Sequence, residues 1–386
     1  MSLEWIENVP ESWTISESQF VLNFQKRDVL ETDEIVTAFR DGQVTLRSNR
    51  RTDGFTMAEK EIGYQHICEG DLVIHSMDGG FGAIGVSDSC GKASPVVHAY
   101  TSSRCDLRFV AYQLRAAVNA GWVAAQAKGI RVRSTQFDRP ALASFKIAYP
   151  PLETQQRIAD YLDRETAEID AAVADLDRYV ELLEKRRRVV ISTGFGNPLF
   201  SPVKQRLKFL TVSEDHKRIP IKSEDRAKLT GEFPYYGASG IIDHVNGFLW
   251  DNATRLLVSE DGANLVARNH PIAFIASGRY WVNNHAHVLR CLDGVPPELV
   301  AMAIENTSIA HLITGSAQPK LTASAMWDIE FDFPATVKDR LALLEYLSSE
   351  LHEIDSLVAE SKKLRELLLK RRSVLITEVV TGRKQV

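Results

Sequence analysis

The chain has 386 residues, of which 44% are hydrophobic and 25% charged, and a formal net charge of −5. That length exceeds one ordinary core and predicts two domains with connecting elements. No apolar run approaches the roughly 18 residues that span a bilayer, and residues 1–10 are acidic with no cationic or apolar leader, so a cytoplasmic location is expected. Cys68, Cys90, Cys105 and Cys291 stand far apart with no CxxC, which argues for reduced packing residues against a disulfide framework or a zinc ribbon.

The first predicted domain covers 1–148. Its strand signal at 71–75 runs into Gly80-Phe-Gly82-Ala-Ile-Gly85, a match to GxGxxG. That motif must open a helix to bind a dinucleotide, yet 86–95 contains Gly91 and Pro95 and no helical period, so a glycine-rich hairpin is expected. A helical patch follows near 109–125. Residues 101–150 hold eight Lys/Arg against two acids, a basic island concealed by the overall negative sign.

A long helix is predicted over 149–194. Its 4-3 spacing puts Ile158, Leu162, Glu165, Ile169, Ala172, Leu176, Tyr179, Leu183, Arg186 and Val190 on one seam. Gly194, Gly196 and Pro198 end it. Asn197-Pro-Leu-Phe200 comes near the Asn-Pro-Pro-aromatic signature of adenine amino-methyltransferases. The second proline is missing and no glycine-rich S-adenosylmethionine loop precedes it, so a helix-stop turn is expected.

The second predicted domain covers 195–332, with a second basic island at 201–228, where eight Lys/Arg meet four acids. Strand signals fall at 256–258, 272–276 and 287–290, and a helical patch at 297–313. His285-Ala-His287 with Cys291 lacks the second cluster a zinc site needs. Glu214-Asp215, Glu224-Asp225 and Glu260-Asp261 read as turn or surface acids. There is no GxxxxGK[ST] sequence, and no nucleophile, base and oxyanion site assembles, so no catalytic residue and no metal site are assigned.

The last segment, 333–386, repeats the first helix. Tyr161 to Ile191 aligns without a gap onto Tyr346 to Ile376 at an offset of 185, matching Ile169-Asp170 with Ile354-Asp355 and Lys185-Arg186-Arg187 with Lys370-Arg371-Arg372. Ser76-Met77-Asp78-Gly79 meets Ser259-Glu260-Asp261-Gly262 at offset 183, and His98-Ala99 meets His285-Ala286 at 187. The second seam is Leu343, Leu347, Glu350, Ile354, Leu357, Ser361, Leu364, Leu368, Arg371 and Leu375. An antiparallel pairing of the duplicates would place Glu165 opposite Arg371 and Arg186 opposite Glu350 in one register, satisfying both charged seam positions. The fold class is therefore α+β: two globular domains separated by two long antiparallel coiled-coil helices, in a pseudo-two-fold repeat.

Three phrases, Tyr235-Tyr-Gly-Ala-Ser-Gly-Ile-Ile-Asp243, Leu257-Val-Ser-Glu-Asp-Gly-Ala-Asn-Leu265 and Ala273-Phe-Ile-Ala-Ser-Gly-Arg-Tyr-Trp-Val-Asn-Asn-His-Ala-His287, resemble the target-recognition domain of type I restriction-modification specificity subunits. Val9-Pro-Glu-Ser-Trp13 resembles that family's opening, and Pro150-Pro-Leu-Glu-Thr-Gln-Gln-Arg-Ile-Ala159 and Lys370-Arg-Arg372 its conserved spacers. Phe333-Pro-Ala-Thr336 departs from the first spacer's Pro-Pro-Leu-Glu-x-Gln start. The resemblance implies a non-catalytic subunit that reads a bipartite double-stranded DNA target, one half per domain. It also implies two modification subunits that bring S-adenosylmethionine, and restriction subunits that bring ATP and Mg, with no cofactor on this chain.

DNA candidates are cations and amide, hydroxyl or phenol side chains in loops. In the first domain they are Arg47, Arg50, Arg51, Lys128, Arg131, Arg133, Gln136 and Arg139. In the second they are Tyr236, Ser239, Arg279, Tyr280, Asn283, Asn284, Gln318 and Lys320. Two other readings are a coiled-coil interaction protein without DNA specificity and a methyltransferase in its own right.

Overall fold

A computed structural model describes residues 9–50, 61–121 and 137–386. Two compact units result, one of Met1–Asp177 with Lys363–Val386 and the other of Arg178–Lys362.

In the first unit, β2 (Asn23–Gln25), β9 (Val97–Thr101), β6 (Leu72–His75) and β7 (Ile84–Val86) form a four-stranded antiparallel sheet in the order β2-β9-β6-β7. The pair β1 (Thr14–Glu17) and β10 (Lys146–Tyr149) brings the chain's first strand beside the strand that feeds the first long helix. Two further ladders join β3 (Val36–Ala38) to β4 (Val44–Leu46) and β5 (Gln65–Ile67) to β8 (Gly91–Ala93). A helix over Leu107–Asn119 packs its apolar face on this unit's core, and Asp106 caps it by accepting from the Arg108 and Phe109 amides. Gly85 lies in β7, where an added Cβ would collide with the Gly42 carbonyl oxygen. The GxGxxG match is thus a hairpin with a close backbone approach, as its sequence context predicts.

The second unit repeats the plan. Its main sheet runs β12 (Thr211–Ser213), β18 (Ala286–Cys291), β15 (Arg255–Ser259), β16 (Ala273–Ala276), all antiparallel, and β11 (Pro202–Arg206) pairs with β19 (Glu330–Pro334). A hairpin of β13 (Thr230–Gly237) and β14 (Gly240–Val245), extended by β17 (Trp281–Val282), has no counterpart among the described residues of the first unit. The ladders correct one alignment: His98 opposes Ile74, whereas the counterpart of Ile74, Leu257, opposes Val288 and not His285. The His98–His285 match is coincidental.

The long helices span Leu152–Phe195 and Val337–Val380, 44 residues each and again offset by 185. The first opens after Pro150-Pro151, and buried Gln155 secures it: Oε1 accepts from the Asp106 amide at 3.0 Å while Nε2 donates to the Pro150 carbonyl at 2.8 Å. The second opens on a local cap, Thr336 Oγ1 accepting from the Asp339 amide at 3.1 Å and donating to its carboxylate at 2.9 Å. That cap replaces the missing Pro-Pro-Leu-Glu-x-Gln start. Gly194 does not end the first helix but lies inside it, where a Cβ would stand 2.9 Å from Leu347 Cδ2; Gly382, at φ +73°, follows the second.

The helices pack antiparallel in each unit, and their ion pairs revise the predicted register. Arg186 Nη2 does meet Glu350, at 3.5 Å. Glu165 instead meets its neighbour Arg164 at 3.4 Å, and among the described residues Arg371 is exposed with no ion pair to Glu165. The duplicated pairs are Asp170–Arg372, with Arg372 Nη2 3.0 Å from Oδ2, and Asp355–Arg187. Both sets of residues are separated by the same repeat offset, 185. The seam also turns by one residue in each copy. Tyr179, Arg186, Leu364 and Arg371 are exposed, while Val180, Arg187, Arg365 and Arg372 take the half-buried places. Ile158, Leu162, Leu183, Leu343, Leu347, Ile354 and Leu375 stay on the buried face as predicted, each contributing about 1.5–3 kcal/mol through apolar burial.

Candidate nucleic-acid interface

In the first unit, the β3–β4 hairpin and the single turn Arg47–Asn49 set Arg40, Arg47 and Arg50 around a cavity of about 640 Å³ whose walls include Tyr64, His75 and Asp78. Arg50 lies 2.6 Å from Asp41 and 4.2 Å over the Phe39 ring, and Arg40 lies 2.8 Å from Asp78. Arg47 Nε donates to Thr37 Oγ1 at 3.3 Å. Burial pulls the Arg47 guanidinium below its ordinary value, and burial likewise lowers His75, so a neutral imidazole faces these fixed cations. Arg139 lies 3.8 Å over the Phe24 ring beside a second cavity of about 550 Å³ that Tyr100 also lines. Arg51, Lys128, Arg131, Arg133 and Gln136 lie outside the described residues.

In the second unit, Asn284 shares a cleft of about 480 Å³ with Lys222, Arg226 and Tyr235, so the basic island and the loop candidates meet there. Ser239 is exposed at the tip of the β13–β14 hairpin. Arg279 is exposed over Phe248 and bonds Asp251 at 2.8 Å, and Gln318 and Lys320 are exposed on a loop where Lys320 Nζ meets Glu260 at 3.2 Å. Tyr236 is half-buried, stacked on Phe274 at 6.1 Å.

Two candidates are buried. Tyr280 is fully buried and stacked on Trp250 at 5.6 Å, and burial drives its phenol far above the ordinary range. Asn283 is buried and holds a turn, its Oδ1 accepting from the His285 amide at 2.8 Å. Tyr280 supports the surface from beneath, whereas Asn283, though buried, still lines the cleft that Asn284 shares with Lys222 and Arg226.

Sequence reasoning also missed a set of buried ion pairs. Glu214 is buried, accepting from Trp250 Nε1 and Arg255 Nε at 2.8 Å each and from Arg255 Nη2 at 3.1 Å. Burial raises its carboxyl, yet the bonds from Arg255, Trp250 and Lys217 outweigh that and hold it at about 2. His287 is buried with Nδ1 2.7 Å from Asp215 and Nε2 3.0 Å from the Leu321 carbonyl oxygen. Arg218 Nη1 meets Glu260 Oε2 at 2.7 Å and the Ala286 carbonyl oxygen at 2.8 Å. Asp215, through His287, and Glu260 thus tie the sheet to the loop that carries Gln318 and Lys320, while Glu224 and Asp225 stay exposed as predicted. His285 bonds Asp261 at 2.8 Å, so the two histidines considered for zinc serve different carboxylates. Asn197 Oδ1 accepts from the Leu199 amide at 3.0 Å, spending its side chain on the helix-stop turn.

A family model, the type I restriction modification DNA specificity domain, matches residues 25–174, which contain β6, β7 and β9 of the four-stranded sheet and the arginine-lined cavity of the first unit. Over those residues the chain is similar to type I DNA specificity domains. A Haemophilus influenzae protein assigned as a type I restriction enzyme specificity subunit is 30% identical over 120 residues, a match spanning 31% of this chain and 30% of that protein. A solved structure concerned with complex assembly and conformational transition of the type I R-M system is similar over 97% of this chain and 99% of its own, with a TM-score of 0.68 at 12% identity. It supports the fold: two α+β units with two long helices. A type I system S subunit from M. genitalium covers 98% of each chain at 15% identity and a TM-score of 0.48. No helix among the described residues is long and apolar enough to cross a membrane.

Proposed function

We propose that this chain is the non-catalytic reader of a bipartite DNA target and docks two modification subunits and the restriction subunits. The observation that carries the reading is the duplication itself. Each unit has the same sheet order and is followed by an equivalent helix at offset 185, and one copy matches the DNA specificity domain. Residues 1–148 and 195–332 are the recognition domains, and 149–194 and 333–386 the spacers. Phosphate contacts come from Arg47, Arg50 and Arg139 in one unit and from Arg279, Lys320 and the cleft of Asn284 in the other, with Ser239 and Gln318 at base edges.

Docking of two equal partners is supported by exposed apolar side chains that are themselves duplicated. Tyr179, Leu182 and Val189 on the first helix match Leu364, Leu367 and Val374 on the second at offset 185, and all six are 41–59% exposed. Six apolar residues left uncovered in two copies of one pattern suit two copies of one partner. S-adenosylmethionine, ATP and Mg belong to those partners.

The test is exchange of residues 1–148 for the equivalent domain of a relative, followed by methylome mapping in cells carrying the whole system. One half of the methylated site is expected to change while the other persists. Joint change of both halves, or methyl transfer by the purified chain alone, would overturn the reading.

A further inference from the structure

We propose that Cys68 and Cys90 form a reversible dithiol–disulfide site for peroxides on the first unit. The β5–β8 ladder pairs Gln65 with Ala93, His66 with Lys92 and Ile67 with Gly91, and continuing it sets Cys68 opposite Cys90. Three amides fix the kind of position this is. His66 N–H donates to the Arg27 carbonyl, Lys92 N–H to the Glu34 carbonyl, and Cys68 N–H to Asp71 Oδ2 at 2.9 Å, so neither opposed pair exchanges backbone bonds. Non-hydrogen-bonded antiparallel positions bring Cα atoms to about 4.5 Å with side chains on one face, inside the roughly 4.4–6.8 Å that a disulfide spans. The Glu69 amide donates to Cys90 Sγ at 3.3 Å, which independently holds that sulfur beside the residue following Cys68.

The surroundings suit a two-step oxidation. Cys90 is exposed and Cys68 half-buried, and both are free thiols. The Arg27 guanidinium, bonded to Asp71 at 3.1 Å, favours the Cys68 thiolate against the effect of burial. Burial holds Cys68 above its ordinary value, which suits it to the second step and not the first. The Cys90 thiolate attacks a peroxide oxygen, the O–O bond breaks, and a sulfenic acid forms with release of water after protonation. Cys68 then attacks that sulfur, the S–O bond breaks, and a second water leaves; two thiols and one hydrogen peroxide give one disulfide and two waters. The bridge closes residues 69–89, which carry β6 and β7 and the cavity-lining His75 and Asp78.

Treating the full chain with hydrogen peroxide, alkylating it and mapping its peptides tests this. The expected product is one intrachain Cys68–Cys90 bridge that dithiothreitol reverses. Cys105 and Cys291, whose thiols burial pushes up to about 11 and about 12, stay free. Cys68→Ser should leave a Cys90 sulfenic acid that dimedone traps, and Cys90→Ser should leave Cys68 reduced. A bridge between chains through Cys90, or Cys90 oxidised to sulfinic acid beside an alkylatable Cys68, overturns the proposal.

Discussion

The two units share a scaffold and differ in what fastens it. Around the Ser-x-Asp-Gly turn of the first, Asp78 meets Arg40 at a pair whose side chains are 38% and 66% exposed. At the matching turn of the second, Glu260 joins Arg218, Lys320 and the buried His287–Asp215 pair, and Glu214 is sealed against Arg255 and Trp250. The sheet order and the flanking helix are held constant by apolar packing. The polar groups at the strand ends are free to change. On the proposed function, halves that recognise different sequences need that division, because loop chemistry then varies without moving the scaffold.

The largest expected effect comes from breaking the second unit's fastening. Glu214→Ala leaves Arg255 without its carboxylate and should cost about 3–5 kcal/mol, lowering the melting midpoint of the second unit and leaving the first unchanged. The native pair also predicts an acid limb. A carboxyl held at about 2 in the fold, against an ordinary 4.5, contributes stability above pH 4.5 that is lost as pH falls from 4.5 towards 2. That contribution is up to roughly 3 kcal/mol. Equal loss of both units in Glu214→Ala, or an acid limb unaltered by Glu214→Gln, would show that the fastening is not local to the second unit.

Why the helices were legible and this fastening was not follows from sequence distance. Helical periodicity is a local signal, and 44-residue segments repeated at one offset give it twice. Glu214 finds Arg255 and Trp250 across 41 and 36 positions, and no neighbour in sequence announces either. The burial of Tyr280 was hidden for the same reason, since a polar residue between turn signals reads as loop surface until a sheet closes over it. The seam error is subtler. From Ser361 to Leu368 a helix face can step by three then four, through Leu364, or by four then three, through Arg365. Hydrophobicity favours leucine, yet the fold buries the stem of Arg365 and leaves Leu364 exposed, as it does with Val180 and Tyr179 in the other copy. On the proposed function, that exposed leucine belongs to the surface kept for a partner.

A middle effect tests the close backbone approach that the first unit uses. Gly85→Ala would drive a methyl into the Gly42 carbonyl oxygen, and backbone cannot yield as a side-chain tip can. A loss of about 2–4 kcal/mol is expected, read as a lower melting midpoint of the first unit only. Gly240→Ala meets no atom within 4 Å but sits at φ +120°, so only backbone strain should appear, about 1–2 kcal/mol in the second unit. Equal tolerance at Gly85 and an exposed surface glycine would mean that β7 and the β3–β4 connection separate easily.

The smallest effect discriminates the two registers. Asp170 is 52% exposed while Arg372 is 17% exposed, so their pair is only partly shielded from water and should couple by about 0.5–1 kcal/mol. Asp170→Arg should destabilise the first unit, and adding Arg372→Asp should recover most of the loss. The same cycle on Glu165 and Arg371 should show coupling within measurement error of zero, because Glu165 turns to Arg164 and Arg371 to solvent. Salt sharpens the distinction: raising ionic strength from 0.1 M to 1 M shortens the screening length from about 10 Å to about 3 Å, which should shrink the Asp170–Arg372 coupling and leave the other cycle flat. Coupling in the Glu165–Arg371 cycle larger than in the Asp170–Arg372 cycle would restore the register read from the seam. It would also place Leu364 and Arg371, rather than Arg365 and Arg372, against the facing helix.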